Sequence, residues 1–322
     1  MNRKTKVLIA YDGSASANAA IEDLPRAGLA EVVEAVVLSV ADVWYYPSPA
    51  DASSPPVTPL DREVLRRGEE MRQRAMRALG EGEICAGRAA SRLRELFPSW
   101  AIRAETAIDW PGWAIIKKAE EWGADLVVLG AGEHSFMERL QLGSVSQKVL
   151  AVCQCSVRVA RRGTAVTTAP VRLLIGLDGS SHAELAVNAV AQRHWPKGSE
   201  IRLISVLDGR LAVAVPSLIP GLARWHRGKE SAADNQAWLQ RMMEAAVETL
   251  KGTGLAVSRA IVQGDPRDAL VETAASWKAD TIFVGARGLS GIERFLIGSV
   301  SSAVAARASC SVEVVRGALP KL

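Results

Sequence analysis

Two short stretches of this chain hold residue types suited to gripping a phosphate. Gly285-Ala286-Arg287-Gly288 is followed, nine residues later, by Gly298-Ser299. The glycine run comes after the strand-like Thr281-Ile282-Phe283-Val284, and Gly298-Ser299 opens a helix-like stretch from Val300 to Ala308. Glycines allow backbone to approach a ligand closely and to adopt positive φ. Free N–H groups at a helix start favour an anion, reinforced by the helix dipole. The same spacing recurs in Gly130-Ala131-Gly132-Glu133 and Gly143-Ser144, with Glu133 standing where Gly288 stands. A Glu where positive φ is required is strained. Its charge about 4 Å from a phosphate charge repels by roughly 1 kcal/mol in water and about 4 at an intermediate dielectric. The contrast predicts a competent loop in the second half and a degraded one in the first.

Other chemistries lack their residues. There is no G-x4-G-K-[ST] phosphate loop. There is no G-x-S-x-G elbow and no H-E-x-x-H. Gly130-Ala131-Gly132 lacks the third glycine of a dinucleotide fingerprint. His134, His182, His194 and His226 show no ligand or triad spacing. His182, four residues after Asp178, reads as a helix-surface residue before a ligand contact, and Arg287 and Arg294 as solvated loop cations before phosphate partners. Cys153-Gln154-Cys155 reads as a plain buried strand, since i and i+2 share a strand face, and no further Cys or His lies at metal-ligand spacing. No catalytic or metal-binding set is expected, and slow ATP hydrolysis is the one turnover left open.

These loops need elements to position them, and the sequence supplies the elements twice. Val7-Leu8-Ile9-Ala10-Tyr11-Asp12-Gly13-Ser14 matches Leu173-Leu174-Ile175-Gly176-Leu177-Asp178-Gly179-Ser180. Trp122 to Gly130 matches Trp277 to Gly285, and Cys155-Ser156-Val157 matches Cys310-Ser311-Val312. The boundaries expected are a first domain at 1–163 and a second at 164–322, with a linker from Arg161 to Pro170. Strands and helices alternate, which predicts an α/β fold with two repeats of a five-stranded parallel, Rossmann-like sheet. In the first repeat the expected strands are 6–11, 33–41, 100–107, 125–129 and 155–160. Helices are expected at 15–28, 61–79, 84–96, 111–122 and 143–152, with a long helix near 230–251 in the second. Asp12 and Asp178, Val40 and Val206, and Gly130 and Gly285 then fall at carboxyl ends of strands, where open parallel sheets bind ligands.

Length and composition agree. A chain of 322 residues, 48% apolar and 23% charged, suits two soluble domains. No apolar run approaches the roughly 18 residues of a membrane helix. The basic start, Met1 to Lys6, precedes an apolar run that stops at Asp12, so it reads as a first strand and not as a signal peptide. Four cysteines are too few for a disulfide scaffold, which fits a cytoplasmic setting. Residues 1–163 carry 21 basic and 21 acidic side chains, and residues 164–322 carry 18 and 14. That bias suits a local anion site, and no basic stripe with interleaved aromatics marks a nucleic-acid surface.

The opening Asp-Gly-Ser after strand one, the G-x2-G-x9-G-S loop and the closing Cys-Ser-Val strand resemble the universal stress protein family in its tandem form. The resemblance covers both halves apart from the Pro-rich segment Pro47 to Pro59. It implies an adenine nucleotide alpha hydrolase-like fold and ATP as ligand, with or without Mg²⁺. It implies Asp178 and Val206 at the adenosine, Val206 through its backbone. Gly285, Gly288, Gly298 and Ser299 then lie at the ribose and phosphates. It further implies domain pairing through Val157-Arg158-Val159 and Val312-Glu313-Val314. The expectation is an ATP-binding sensor or regulator that forms an intramolecular pseudo-dimer, with homodimerisation of whole chains open. Two other readings stay open: a nucleotide-independent scaffold acting through its duplicated domains, and a weak ATPase.

Overall fold

The computed structural model describes residues 4–42, 59–132, 142–161, 169–207, 232–288 and 297–317. The first repeat runs β1 (Thr5–Ala10), α1 (Ala15–Asp23), β2 (Val33–Ala41), α2 (Pro59–Leu96), β3 (Ala101–Ile108), α3 (Pro111–Trp122), β4 (Leu126–Gly130), α4 (Ser144–Val152) and β5 (Ser156–Ala160). The second runs β6 (Arg172–Leu177), α5 (Ser181–Ala191), β7 (Glu200–Leu207), α6 (Ala232–Leu250), β8 (Ala256–Gln263), α7 (Pro266–Trp277), β9 (Thr281–Gly285), α8 (Ser299–Arg307) and β10 (Ser311–Val315). The fold is α/β with two such repeats.

The strands of the described residues join one ten-stranded sheet in the order β3-β2-β1-β4-β5-β10-β9-β6-β7-β8. Pairings within each repeat are parallel. The repeats meet where β5 and β10 pair antiparallel, with Val157 opposite Val314, Arg158 opposite Glu313 and Val159 opposite Val312. Each strand's inner residues alternate between the two faces, so both faces need cover. One apolar cluster lines a single face across both repeats, from Leu8 and Leu150 through Val157 and Val312 to Leu270 and Ile282. The opposite face carries two clusters, one per repeat. The first includes Ile9, Ile21 and Leu93, the second Ile175, Val187 and Phe283.

Between those two clusters lies buried charge. Arg158, fully buried, donates from Nε to Asp23 Oδ2 at 2.6 Å, from Nη1 to Glu313 Oε2 at 3.3 Å and from Nη2 to Thr281 Oγ1 at 3.0 Å. Arg193 adds a second guanidinium on Glu313, and the Ser311 hydroxyl donates to Asp23 Oδ1 at 2.7 Å. Burial alone would disfavour the Arg158 charge, yet Asp23 and Glu313 beside it raise its pKa further. Burial likewise opposes the Glu313 charge, but Arg193 and Arg158 hold its carboxyl below the ordinary value.

The structure changes three local expectations. The interruption expected between 79 and 84 is absent, because α2 is continuous through Gly80 and Gly82. Its buried residues Ala86, Ala89, Ala90 and Leu93 pack on the sheet, which outweighs a cost of about 1 kcal/mol per helical glycine. α1 is shorter than expected and tightens into a 3-10 turn at Leu24–Arg26, where Pro25 cannot continue the ladder. Cys153 and Cys155 are not on a strand. Cys153 caps α4, and Cys155 lies in the turn before β5.

Candidate functional site

In the second repeat the chain leaves β6 toward β7 on one side, while β9 lies on β6's other flank. The crevice at this change of direction is where open α/β sheets hold ligands. The β6–α5 turn starts it. Asp178 is exposed, and its Oδ1 accepts the Ser180 N–H at 2.9 Å. The Ser180 hydroxyl accepts the Ala183 N–H at 3.2 Å, capping α5, and donates to the Arg287 carbonyl at 3.2 Å. One serine thus binds the first loop to the glycine loop.

The glycine loop is shaped by contact. A Cβ on Gly285 would lie 2.5 Å from the carbonyl carbon of His182, so a side chain there would drive α5 off β9. A Cβ on Gly288 would lie 2.6 Å from Asp178 Oδ2. The positive φ expected at this position is absent. Gly288 is not in the left-handed region, whereas Gly132 in the first repeat is, at φ 104°. What position 288 requires is space beside a carboxylate. Gly298 N–H donates to the Ala286 carbonyl at 2.8 Å, and the Ser301 hydroxyl donates to the Gly285 carbonyl at 2.6 Å. These bonds fix the start of α8 against the end of β9. Gly298 caps α8 without any side-chain hydrogen bond, unlike Ser180 on α5. No side chain of the N-cap residue itself takes the first N–H groups of α8, the kind of groups that favour an anion at a helix start.

The structure brings Asp178, Gly285, Gly288 and Gly298 together, with exposed Ser299 as first residue of α8. Val206 lies at the end of β7, one step beyond the Leu177–Ser205 pair and so beside the β6–α5 turn. Arg294 and Glu133 lie outside the described residues. His182 is half-buried rather than a plain surface residue. Burial and the Arg287 charge lower its pKa, against the pull of Asp178. Trp238 of α6 is not singled out by the sequence. It packs over Gly179, whose φ is 79°, right beside Asp178. Only the i+4 spacing from Asp178 to His182 could have drawn notice. Nothing local links Trp238 to residue 179.

The first repeat builds the same frame. Asp12 Oδ1 accepts the Ser14 N–H, Ser14 Oγ accepts the Ala17 N–H, Gly143 N–H donates to the Ala131 carbonyl, and Ser146 Oγ donates to the Gly130 carbonyl. The sites still differ: Gly132 lies at φ 104° where its counterpart Arg287 has no positive φ, and the Ser14 hydroxyl lies 3.1 Å from Ser16 Oγ where Ser180 reaches the Arg287 carbonyl. Among the described residues no group of three or more His, Cys, Asp or Glu is placed to hold a metal. Among them, too, no helix is long and apolar enough to cross a membrane.

Comparison with known proteins agrees with this duplication. The model of the universal stress protein family matches twice, over residues 4–161 and 171–316. A universal stress protein of Mycobacterium tuberculosis is 28% identical over 218 residues, covering 67% of this chain and 69% of that protein. A universal stress protein of Bacillus subtilis is 26% identical over 147 residues, covering 45% of this chain and 98% of that protein. A crystal structure of a universal stress protein from Archaeoglobus fulgidus superposes with a TM-score of 0.58 at 23% identity, over 97% of this chain and 96% of that one, which speaks for the fold alone.

Proposed function

Since this chain belongs to the universal stress protein family, we propose that its second half, residues 164–322, binds ATP and that the protein acts as a sensor or regulator rather than a catalyst. One observation carries the reading: Gly288 leaves just enough room for the Asp178 carboxylate beside the start of α8, where the N-cap Gly298 contributes no side-chain hydrogen bond. That places an acceptor for sugar or base hydroxyl and amino groups next to donors for phosphate oxygens. Asp178 and the Val206 backbone serve the adenosine in this proposal. Gly285, Gly288, Gly298 and Ser299 serve the ribose and phosphates, with or without Mg²⁺. In residues 1–163 the strand-end and helix-start bonds recur, and the Glu133-for-Gly288 exchange argues against nucleotide there. The two units act as an intramolecular pseudo-dimer, a reading supported by the β5–β10 pairing, and a cytoplasmic setting goes with it.

Calorimetric titration of the full chain with ATP, with and without Mg²⁺, tests the proposal. One saturable site lost on Gly288→Glu is expected, and no heat of binding from the wild type overturns it. A nucleotide-independent scaffold is the second reading, favoured by the buried ion network at the junction, which has no counterpart need in nucleotide binding. Purified protein free of nucleotide and indifferent to ATP would favour it.

A further inference from the structure

The turn between α4 and β5 holds a second kind of chemistry. The Sγ atoms of Cys153 and Cys155 lie 3.4 Å apart. Both residues line a groove of about 530 Å³ with Asp125 of the first repeat and Arg316 of the second. None of the residues of the nucleotide-type crevice lines this groove. The Arg316 guanidinium donates to the Cys155 carbonyl at 3.5 Å and to the Leu150 carbonyl at the end of α4.

The repeat supplies an internal comparison. Ala308 stands where Cys153 stands, and Cys310 where Cys155 stands. Backbone is nearly identical: φ −58° and ψ 139° at Cys153, φ −62° and ψ 144° at Ala308. Both N–H groups close their helix at 2.9 Å, onto Val149 and Val304. The fold therefore does not require a thiol at 153. Cys310 is alone, and burial pushes its thiol up to about 11. In the pair, the Cys155 hydrogen bond lowers Cys153 below the ordinary thiol value; burial opposes this and the Arg316 charge assists. Cys155 is pushed up by the same hydrogen bond and by burial. One sulfur is thus inclined to be the thiolate, and its neighbour holds the proton and can resolve.

We propose that Cys153 and Cys155 are an oxidisable dithiol site, absent from the second repeat, whose substrate class is a small hydroperoxide. Both sulfur-bearing residues line the groove, and since Cys153 is 3% exposed and Cys155 half-buried, the approach suits a small oxidant and excludes a bulky disulfide. The Cys153 thiolate attacks the terminal peroxide oxygen, the O–O bond breaks, and the departing alkoxide takes a proton to leave as an alcohol. Cys153 becomes a sulfenic acid. Cys155 Sγ then attacks Cys153 Sγ, the S–S bond forms, the S–O bond breaks, and hydroxide leaves as water with the Cys155 proton. In total, two thiols lose two electrons and two protons, and the hydroperoxide becomes alcohol and water. Closing from 3.4 Å to a bond of about 2.05 Å falls on a turn and not on a sheet ladder.

The test uses the reduced full chain. It is treated with limiting hydrogen peroxide, quenched, denatured and alkylated, then digested and weighed. Expected is a 153–155 peptide lighter by two hydrogens and unalkylated, formed at least about tenfold faster than any change at Cys310. Cys85 and Cys310 stay alkylatable. Cys153→Ala, which copies Ala308, abolishes the loss and leaves Cys155 alkylatable. Ala308→Cys creates a second oxidisable pair. The proposal is overturned if Cys153→Ala oxidises as the wild type does, or if Cys310 reacts as fast as the pair. It is also overturned if peroxide yields sulfinic acid with no disulfide.

Discussion

Arg158 and Glu313 occupy equivalent positions in the two repeats, three residues after Cys155 and Cys310, and they face each other as partners across the β5–β10 junction. A junction between identical repeats would set like beside like at this point. Here it sets a cation against an anion, with side chains 3.3 Å apart and fully buried. Arg193 and Asp23 complete the network, so each charge has partners. Buried ion pairs add little net stability over apolar residues, but losing one partner strands the other.

Glu313→Gln is therefore expected to destabilise the chain by about 3–5 kcal/mol. Chemical denaturation at neutral pH measures this. A loss under about 1 kcal/mol would mean that water or rearrangement replaces the carboxylate easily.

The same residue makes stability pH-dependent. Its folded carboxyl lies below the ordinary value of 4.5. The contribution is thus complete above the ordinary carboxylate range and declines as pH falls through the depressed folded value. Melting temperature followed from pH 7 down to pH 3 should fall more steeply in the wild type than in Glu313→Gln. Parallel curves would remove Glu313 as the cause.

Residues 1–163 and 164–322, expressed apart, should pair with each other in preference to themselves. Self-pairing would bury Arg158 against Arg158, or Glu313 against Glu313, without compensation. Mixing the halves and weighing the complex by native mass spectrometry decides it, and homodimers of either half at comparable strength would refute the charge argument.

Gly288→Glu should abolish ATP binding. The added carboxylate meets Asp178 at the loop and repels phosphate by roughly 1 to 4 kcal/mol, depending on solvent access, which is roughly fivefold to several hundredfold in affinity. An unchanged dissociation constant removes this glycine from the cradle. Gly285→Ala should instead cost stability first, about 1–3 kcal/mol, because its methyl meets α5 backbone. Binding lost at full stability would reverse that assignment.

Asp178→Ala should weaken adenosine compounds with a stability loss near 1 kcal/mol, the worth of one turn hydrogen bond to Ser180. Adenosine titration and a thermal melt of the same sample separate the two. Intact binding with a collapsed melt would make Asp178 structural.

Much of this was readable along the chain. The repeat, the strand–helix alternation and the strand-end positions of Asp178, Val206 and Gly285 follow from local pattern, since hydrophobic period and turn residues are properties of neighbours in sequence. Glycine at 288 was also visible as a contrast with Glu133. Its physical reason was not, because the atom it must avoid belongs to residue 178. Gly80 and Gly82 misled in the same way: helix-breaking propensity is local, and the sheet packing of Ala86, Ala89, Ala90 and Leu93 that overrides it is tertiary.

By itself, then, the sequence determined the family, the duplicated α/β fold and the loops at the carboxyl ends of the strands. Each rests on pattern within a few tens of residues. Tertiary structure alone decided the partners of Arg158, 123 to 155 residues away in the chain, the packing of Trp238 over Gly179, and the meeting of the Cys153 and Cys155 sulfurs in a turn lined by Arg316. Charge, burial and reactivity depend on distance in space, and the sheet sets those distances only when the two repeats join at β5 and β10.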